Sequence, residues 1–152
     1  MDYRLYHPGD FTALYAIEEV CFEPPLRFPR PYMRKLVSSR RGATWIANED
    51  EQMAGFAIAE WPNSKAPIAA YIATLEVAPE FRKRGIGGEL LRRLESSAQN
   101  ASAALMWLHV DAENAAAIRV YEARGYQCRG REKHYYASHR PALIYAKELS
   151  GG

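Results

Sequence analysis

Seven consecutive residues, Arg82-Lys83-Arg84-Gly85-Ile86-Gly87-Gly88, hold the densest chemical information in the chain. Gly85 and Gly87 let the backbone approach a ligand closely, and the first N–H groups of a helix beginning here lack intrahelical acceptors. Such N–H groups at the positive end of a helix dipole, flanked by three cations, suit a diphosphate. The run is not a Walker loop, because no Lys-Ser/Thr pair follows the last glycine. Nor is it a G-x-G-x-x-G loop, because Leu90 stands where the third glycine belongs. A solvated basic turn ahead of a capped helix fits the same residues, and alone they leave both readings open. His109 is a second centre of interest. An imidazole titrates near pH 6.5, in the range of a general base at neutral pH, but a strand histidine satisfied by a backbone carbonyl has the same appearance. Asn114 and Tyr121 lie seven residues apart, two helical turns, so both can point toward one ligand. Cys21 and Cys128 fit neither a disulfide framework nor a zinc site, and neither has a motif partner for nucleophilic catalysis.

The elements that must carry these groups follow from the apolar pattern. Residues 3–6 are strand-like, and Pro8-Gly9-Asp10 turns into a helix bearing Leu14, Ile17, Glu18 and Val20, with Asp10 placed to cap it. Prolines at 24, 25, 29 and 31 stop that helix, and a second is expected over 32–38. Residues 45–47 and 54–58 read as a hairpin around the acidic turn 48–52, a loop longer than the two-residue ideal. A strand over 71–77 precedes the glycine run, and 86–97 has the helical spacing Ile86, Leu90, Leu91, Leu94. The apolar strand 104–111 leads to a helix over 114–124, with Gly125 at its left-handed C-terminal position. Strands over 126–131 and 142–149 complete an α/β order with a mixed sheet.

Two stretches resemble a known family. The run 71–91 is similar to motif A of the GNAT superfamily, the Gcn5-related N-acetyltransferases, whose Arg/Gln-x-x-Gly-x-Gly/Ala pattern falls on Arg82-Lys83-Arg84-Gly85-Ile86-Gly87. The run 108–126 resembles motif B, through Asn114, Tyr121 and the Gly125-Tyr126 ending. The resemblance implies one domain over 1–152, an α/β fold with a mixed, mostly antiparallel sheet whose central strands splay apart between flanking helices. It implies acetyl-CoA as acetyl donor and no metal. The diphosphate would lie on Arg82, Lys83, Arg84, Gly85, Ile86, Gly87 and Gly88. The pantetheine arm would lie along the backbone of Leu75, Glu76 and Val77 and touch Asn114, because splayed strands leave backbone N–H and C=O groups needing partners.

Acetyl transfer to an amine needs the amine uncharged. At pH 7 an α-amine of pKa about 7.7–8.0 needs about 1.4 kcal/mol or less to deprotonate, against about 4.6 for lysine. Two subgroups resemble the chain most. RimI-type ribosomal-protein acetyltransferases share Ala73-Thr74-Leu75 and the 114–118 run, but carry a glutamate base where His109 stands. Eukaryotic E-type N-terminal acetyltransferases share Leu108-His109-Val110 and pair that histidine with a strand tyrosine, here Tyr71. The resemblance therefore implies Tyr71 and His109 as base, acting through an ordered water, and Tyr121 beside the CoA sulfur as proton donor to the thiolate. The oxyanion donor would be the N–H of Val77. Glu76 is a rival base, but strict strand alternation sets it on the face opposite Tyr71. Substrate contacts carry over to Phe28, Pro29 and Tyr32, to Ala73, and to Tyr135 and Tyr136 in the run His134-Tyr135-Tyr136.

Composition narrows the alternatives. Of 152 residues, 48% are hydrophobic and 25% charged, as expected for a chain that folds around a core. Twenty basic residues against 18 acidic ones leave a formal charge of +2, which supports neither nucleic acid nor a membrane surface as partner. The opening residues lack a signal peptide's apolar run, so a cytoplasmic protein is expected. A monomer or homodimer is also expected. The expected activity is acetylation of the N-terminal α-amine of a protein or peptide. The alternatives are a small amine or lysine acceptor, a non-catalytic acyl-CoA-binding module, and nucleic-acid binding through Arg82-Lys83-Arg84.

Overall fold

The expected element order is realised, with two local corrections. A computed structural model describes residues 1–62, 68–133, 135 and 140–149. It contains β1 (Asp2–Leu5), α1 (Phe11–Cys21), α2 (Arg30–Val37), β2 (Gly42–Glu49), β3 (Gln52–Glu60), β4 (Ile68–Val77), α3 (Ile86–Asn100), β5 (Ala103–Asp111), α4 (Ala115–Ala123), β6 (Gln127–Glu132) and β7 (Ala142–Glu148). Asp10 precedes α1 but gives it no side-chain cap. It closes a short helical turn and is already helical itself, so its carboxylate points back to the His7 N–H (2.9 Å) and grips Arg4 through two bonds of 2.7 and 2.8 Å. The β2–β3 loop is not long: Glu49 pairs with Gln52, leaving only Asp50 and Glu51, with φ of 48° and 67°. Two positive φ values are what a tight hairpin turn requires, but Asp-Glu lacks the glycine that advertises one.

The sheet runs β1-β2-β3-β4-β5-β7-β6. Among the described pairs only β4 and β5 are parallel, and their pairing stops early, at Tyr71↔Trp107. Beyond that rung β4 stays with β3 as far as Val77, and β5 stays with β7 as far as Asp111. The two central strands therefore part, as expected. Helix α3 crosses β2 to β5, burying Ile86, Leu90, Leu91, Leu94 and Ala98, while α1 and α2 pack on β2 to β4. Burying each such large apolar side chain contributes roughly 1.5–3 kcal/mol. Buried Glu95 of α3 pins the far end of the sheet by accepting from Arg124 (2.6 Å), the Tyr126 hydroxyl (3.0 Å) and Lys147 (3.1 Å). No helix among the described residues is long and apolar enough to cross a membrane.

A bulge in β4 changes which side chains share a face. Ile58 of β3 pairs with Thr74 but Ala59 pairs with Ile72, so Ala73 is a surplus residue. Tyr71, Thr74 and Glu76 consequently oppose Glu60, Ile58 and Phe56, which are alternate residues of β3. All three lie on the face covered by α1. The expectation that Glu76 lies opposite Tyr71 is overturned, because it assumed an unbroken strand.

Candidate active site

On one side of the parted strands stands the glycine turn. Gly85 precedes α3 in the left-handed region at φ 79°, and Glu89 N–H makes the first helical bond back to its carbonyl at 3.2 Å. The N–H groups of Ile86, Gly87 and Gly88 therefore have no acceptor inside the helix. A Cβ placed on Gly85 or Gly88 would meet nothing within 4 Å, so the space above the turn is open. At Gly87 it would instead come within 3.6 Å of Val120 on α4. The cations are arranged differently from the sequence expectation. Arg84 pairs with Glu49 at 2.7 Å, and Arg82 donates to the Val77 carbonyl (3.0 Å) and to Cys21 Sγ (3.5 Å). Lys83 is exposed, at a positive φ of 64°. What the turn presents is chiefly main chain.

The end of β4 is also main chain turned toward the gap. Ala78 N–H bonds Ala54 on β3 at 2.8 Å, and the Glu76 carbonyl faces Gly55 so closely that a Cβ there would lie 2.5 Å away. Backbone groups alternate along an antiparallel strand, so those of Leu75 and the N–H of Val77 point the other way, into the opening, while the Val77 carbonyl accepts from Arg82. Of the three expected pantetheine contacts, Glu76 is thus the one whose carbonyl is directed at β3. Its side chain is buried too. One oxygen accepts from Thr74 at 2.7 Å, and burial first, then neighbouring Glu18, holds the carboxyl protonated well above the usual carboxylate range. Burial also raises the Cys21 thiol to about 11, which leaves it a poor nucleophile.

Across the gap, side chains converge. The last β4–β5 rung sets Tyr71 beside Trp107 with ring centroids 4.6 Å apart, and strand period puts His109 on the same face. Tyr71 Oη lies 2.9 Å from His109 Nδ1. His109 Nε2 lies 3.0 Å from Glu132 Oε1, and the Tyr135 ring stacks on the imidazole at 4.1 Å. The His109 side chain is 9% exposed and that of Glu132 is 48%.

The α1–α2 connection closes this side. Phe28 donates its N–H to Glu18 Oε2 (2.9 Å) and accepts the Tyr15 hydroxyl on its carbonyl (2.6 Å), while its ring meets Tyr32 edge-on at 5.1 Å. Pro29 is extended and starts α2. Tyr32 and Tyr135 are both exposed aromatics, and Ala73 is the half-buried bulge residue. Tyr136 lies outside the described residues. On α4, Asn114 acts as the helix cap, accepting from Ala117 N–H at 3.1 Å, and Tyr121 is buried with its ring edge-on to Tyr126 at 5.8 Å.

Sequence reasoning missed Glu132, Trp107, Thr74 and the role of Glu18. Glu18 gave a signal, as a carboxylate on the buried stripe of α1 beside Leu14 and Ile17. Glu132 gave none, since it ends an edge strand in a run of charges.

Residues 11–126 match the Acetyltransferase (GNAT) family. The chain belongs to this family. It is an N-acetyltransferase of the GNAT fold, similar to the ribosomal protein bS18-alanine N-acetyltransferase of Salmonella typhimurium, with 30% identity over 126 residues covering 79% of this chain and 82% of the relative. It is also similar to N-alpha-acetyltransferase 60 of Xenopus tropicalis, at 31% identity over 161 aligned positions covering 90% of this chain and 66% of the relative. In fold it superposes on Arabidopsis thaliana NAA60, solved in complex with acetyl-CoA, with a TM-score of 0.87 at 23% identity and 99% coverage of both chains.

Proposed function

We propose that this GNAT enzyme transfers the acetyl group of acetyl-CoA to the N-terminal α-amine of a protein or peptide. The observation that carries the reading is the 2.9 Å contact between Tyr71 and His109 at the point where β4 and β5 part. It offers a proton acceptor for an α-amine that needs about 1.4 kcal/mol or less to deprotonate, whereas a lysine needs about 4.6. The acceptors named for the bS18-alanine and N-alpha relatives support the same class.

In this reading the chain's groups divide the work. N–H groups of Ile86, Gly87 and Gly88 bind the diphosphate, helped by the helix dipole, with Arg82, Lys83, Arg84 and Gly85 shaping the turn. Main-chain groups of Leu75 and Val77 pair with the amides of the pantetheine arm, and the Val77 N–H faces the developing oxyanion. Asn114 adds a contact beyond its capping bond. Tyr121 protonates the departing thiolate, a light task for a thiol of pKa near 8.5. Phe28, Pro29, Tyr32, Ala73, Tyr135 and Tyr136 hold the acceptor peptide, and Tyr71 with His109 removes its proton. A cytoplasmic setting, where ribosomal and other new proteins emerge, fits this acceptor class.

The test is to incubate the protein with acetyl-CoA, a proteome-derived peptide mixture, and a panel of polyamines and small amines. Mass spectrometry then locates the acetyl group. Acetylation on α-nitrogen is the expected result; acetylation confined to lysine side chains or small amines would overturn the reading.

A further inference from the structure

We propose that Glu132 is a positioning residue that sets the tautomer of His109, and through it turns the Tyr71 oxygen into the proton acceptor that faces the amine. The inference rests on the reading of Tyr71 and His109 as the base. His109 uses both ring nitrogens: Nδ1 lies 2.9 Å from Tyr71 Oη and Nε2 lies 3.0 Å from Glu132 Oε1. A neutral imidazole carries one N–H, and an ionised carboxylate can only accept. The proton therefore sits on Nε2, and Nδ1 keeps its lone pair. Tyr71 must then donate its O–H to Nδ1, so its oxygen turns toward an ammonium N–H as an acceptor rather than with its proton. With the opposite tautomer Nδ1–H would donate to Tyr71, whose own O–H would turn outward and meet the ammonium donor to donor.

The proton balance follows. One proton passes from the acceptor ammonium to Tyr71 Oη while the tyrosine proton passes to His109 Nδ1, so the amine regains its lone pair. Positive charge moves from the amine to the imidazolium, which donates from both nitrogens, to Tyr71 and to Glu132. Tyr71 ends as it began, a neutral phenol. The resting tautomer returns by the reverse relay, Nδ1–H passing to Tyr71 Oη and the tyrosine proton to water once the acetylated product has left. Nε2–H stays on Glu132, 48% exposed beside a His109 only 9% exposed. Among the described residues the groups around the ring are Tyr71 from β4, Trp107 from β5, Glu132 from β6 and the stacked Tyr135, while β7 opposes His109 with uncharged Ile144. Among the described residues Glu132 is the carboxylate within hydrogen-bond distance of the ring.

The experiment uses the full chain with ¹⁵N-labelled histidine and the variants Glu132→Gln, Glu132→Lys and Glu132→Asp. The nitrogen shifts of the neutral wild-type His109 ring should report Nε2–H. Glu132→Lys, which presents a donor to Nε2, should move the population to Nδ1–H. With an acceptor peptide from the screen above, kcat should fall about 10-fold for Glu132→Gln and about 100-fold for Glu132→Lys, as is usual when a histidine's outer partner is lost. The acceptor KM and the acetyl-CoA Kd should hold, and Glu132→Asp should recover part of the rate. An Nδ1–H wild type, or Gln and Lys variants with the wild-type kcat, would overturn the inference. Failure of the underlying base assignment looks different: Tyr71→Phe and His109→Ala would then themselves retain full activity.

Discussion

The two sides of the parted strands are built from different material. The donor side is main chain: N–H groups at the start of α3 and the backbone of Leu75 and Val77 at the end of β4. The acceptor side is a set of side chains, Tyr71, His109, Glu132, Tyr135 and Trp107, brought from separate strands and the segment after β6. In the proposed reading, main chain binds the acetyl donor and tolerates substitution around it. Side chains would decide what is deprotonated, and each depends on the register of another strand.

Three experiments probe that division. The largest effect belongs to His109→Ala, which should lower kcat by about 10²–10⁴, the range for loss of a general base, while calorimetry finds acetyl-CoA binding unchanged. A matching loss of acetyl-CoA affinity would mean that the two sides are not separable. Gly88→Glu probes the other half. Its Cβ enters open space, so folding should survive, but a carboxylate at the helix N-terminus should weaken acetyl-CoA about 100-fold by opposing the diphosphate. An unaltered Kd would remove the anion site from the donor side.

The smallest effect tests the seam between them, where Glu76 of the donor strand meets Glu18 and, through it, Phe28 of the acceptor loop. Burial and Glu18 raise the Glu76 carboxyl in the folded protein. Below about pH 4.3, folded and unfolded chains both hold that proton. As pH rises through this window the unfolded chain releases it while the folded chain retains it, so stability falls until the raised value is passed. Glu76→Gln has no proton to lose. Its stability relative to the wild type should therefore improve as pH rises above about 4.3 in denaturant titrations, and a flat difference would show that Glu76 ionises freely.

The same division explains what was legible in the sequence. The donor side was readable because its requirements are local: Gly85 must reach φ 79°, a helix must start at Ile86, and both are written within seven residues. The order of strands and helices was readable for a similar reason, since apolar period and Gly125 mark elements one at a time. Tyr71 and His109 were reached through resemblance to a family, and their 2.9 Å contact depends on a strand pairing no local pattern declares. Glu132 was invisible because only the β5–β7–β6 register carries it to His109. The hairpin loop was misjudged because Asp50 and Glu51 adopt a turn usually given to glycine and asparagine. Glu76 was misplaced because period-two counting has no means of foreseeing an extra residue.

That extra residue has a reach out of proportion to its size. Side-chain direction along a strand is a matter of odd and even, and Ala73 inverts the count for everything that follows it. Excise it, and Thr74 and Glu76 would swing toward α3 while Leu75 and Val77 turned to meet Glu18, leaving one acid stranded among hydrocarbons and the other without its companion. The hinge of the whole arrangement is thus a residue whose side chain is a single methyl group.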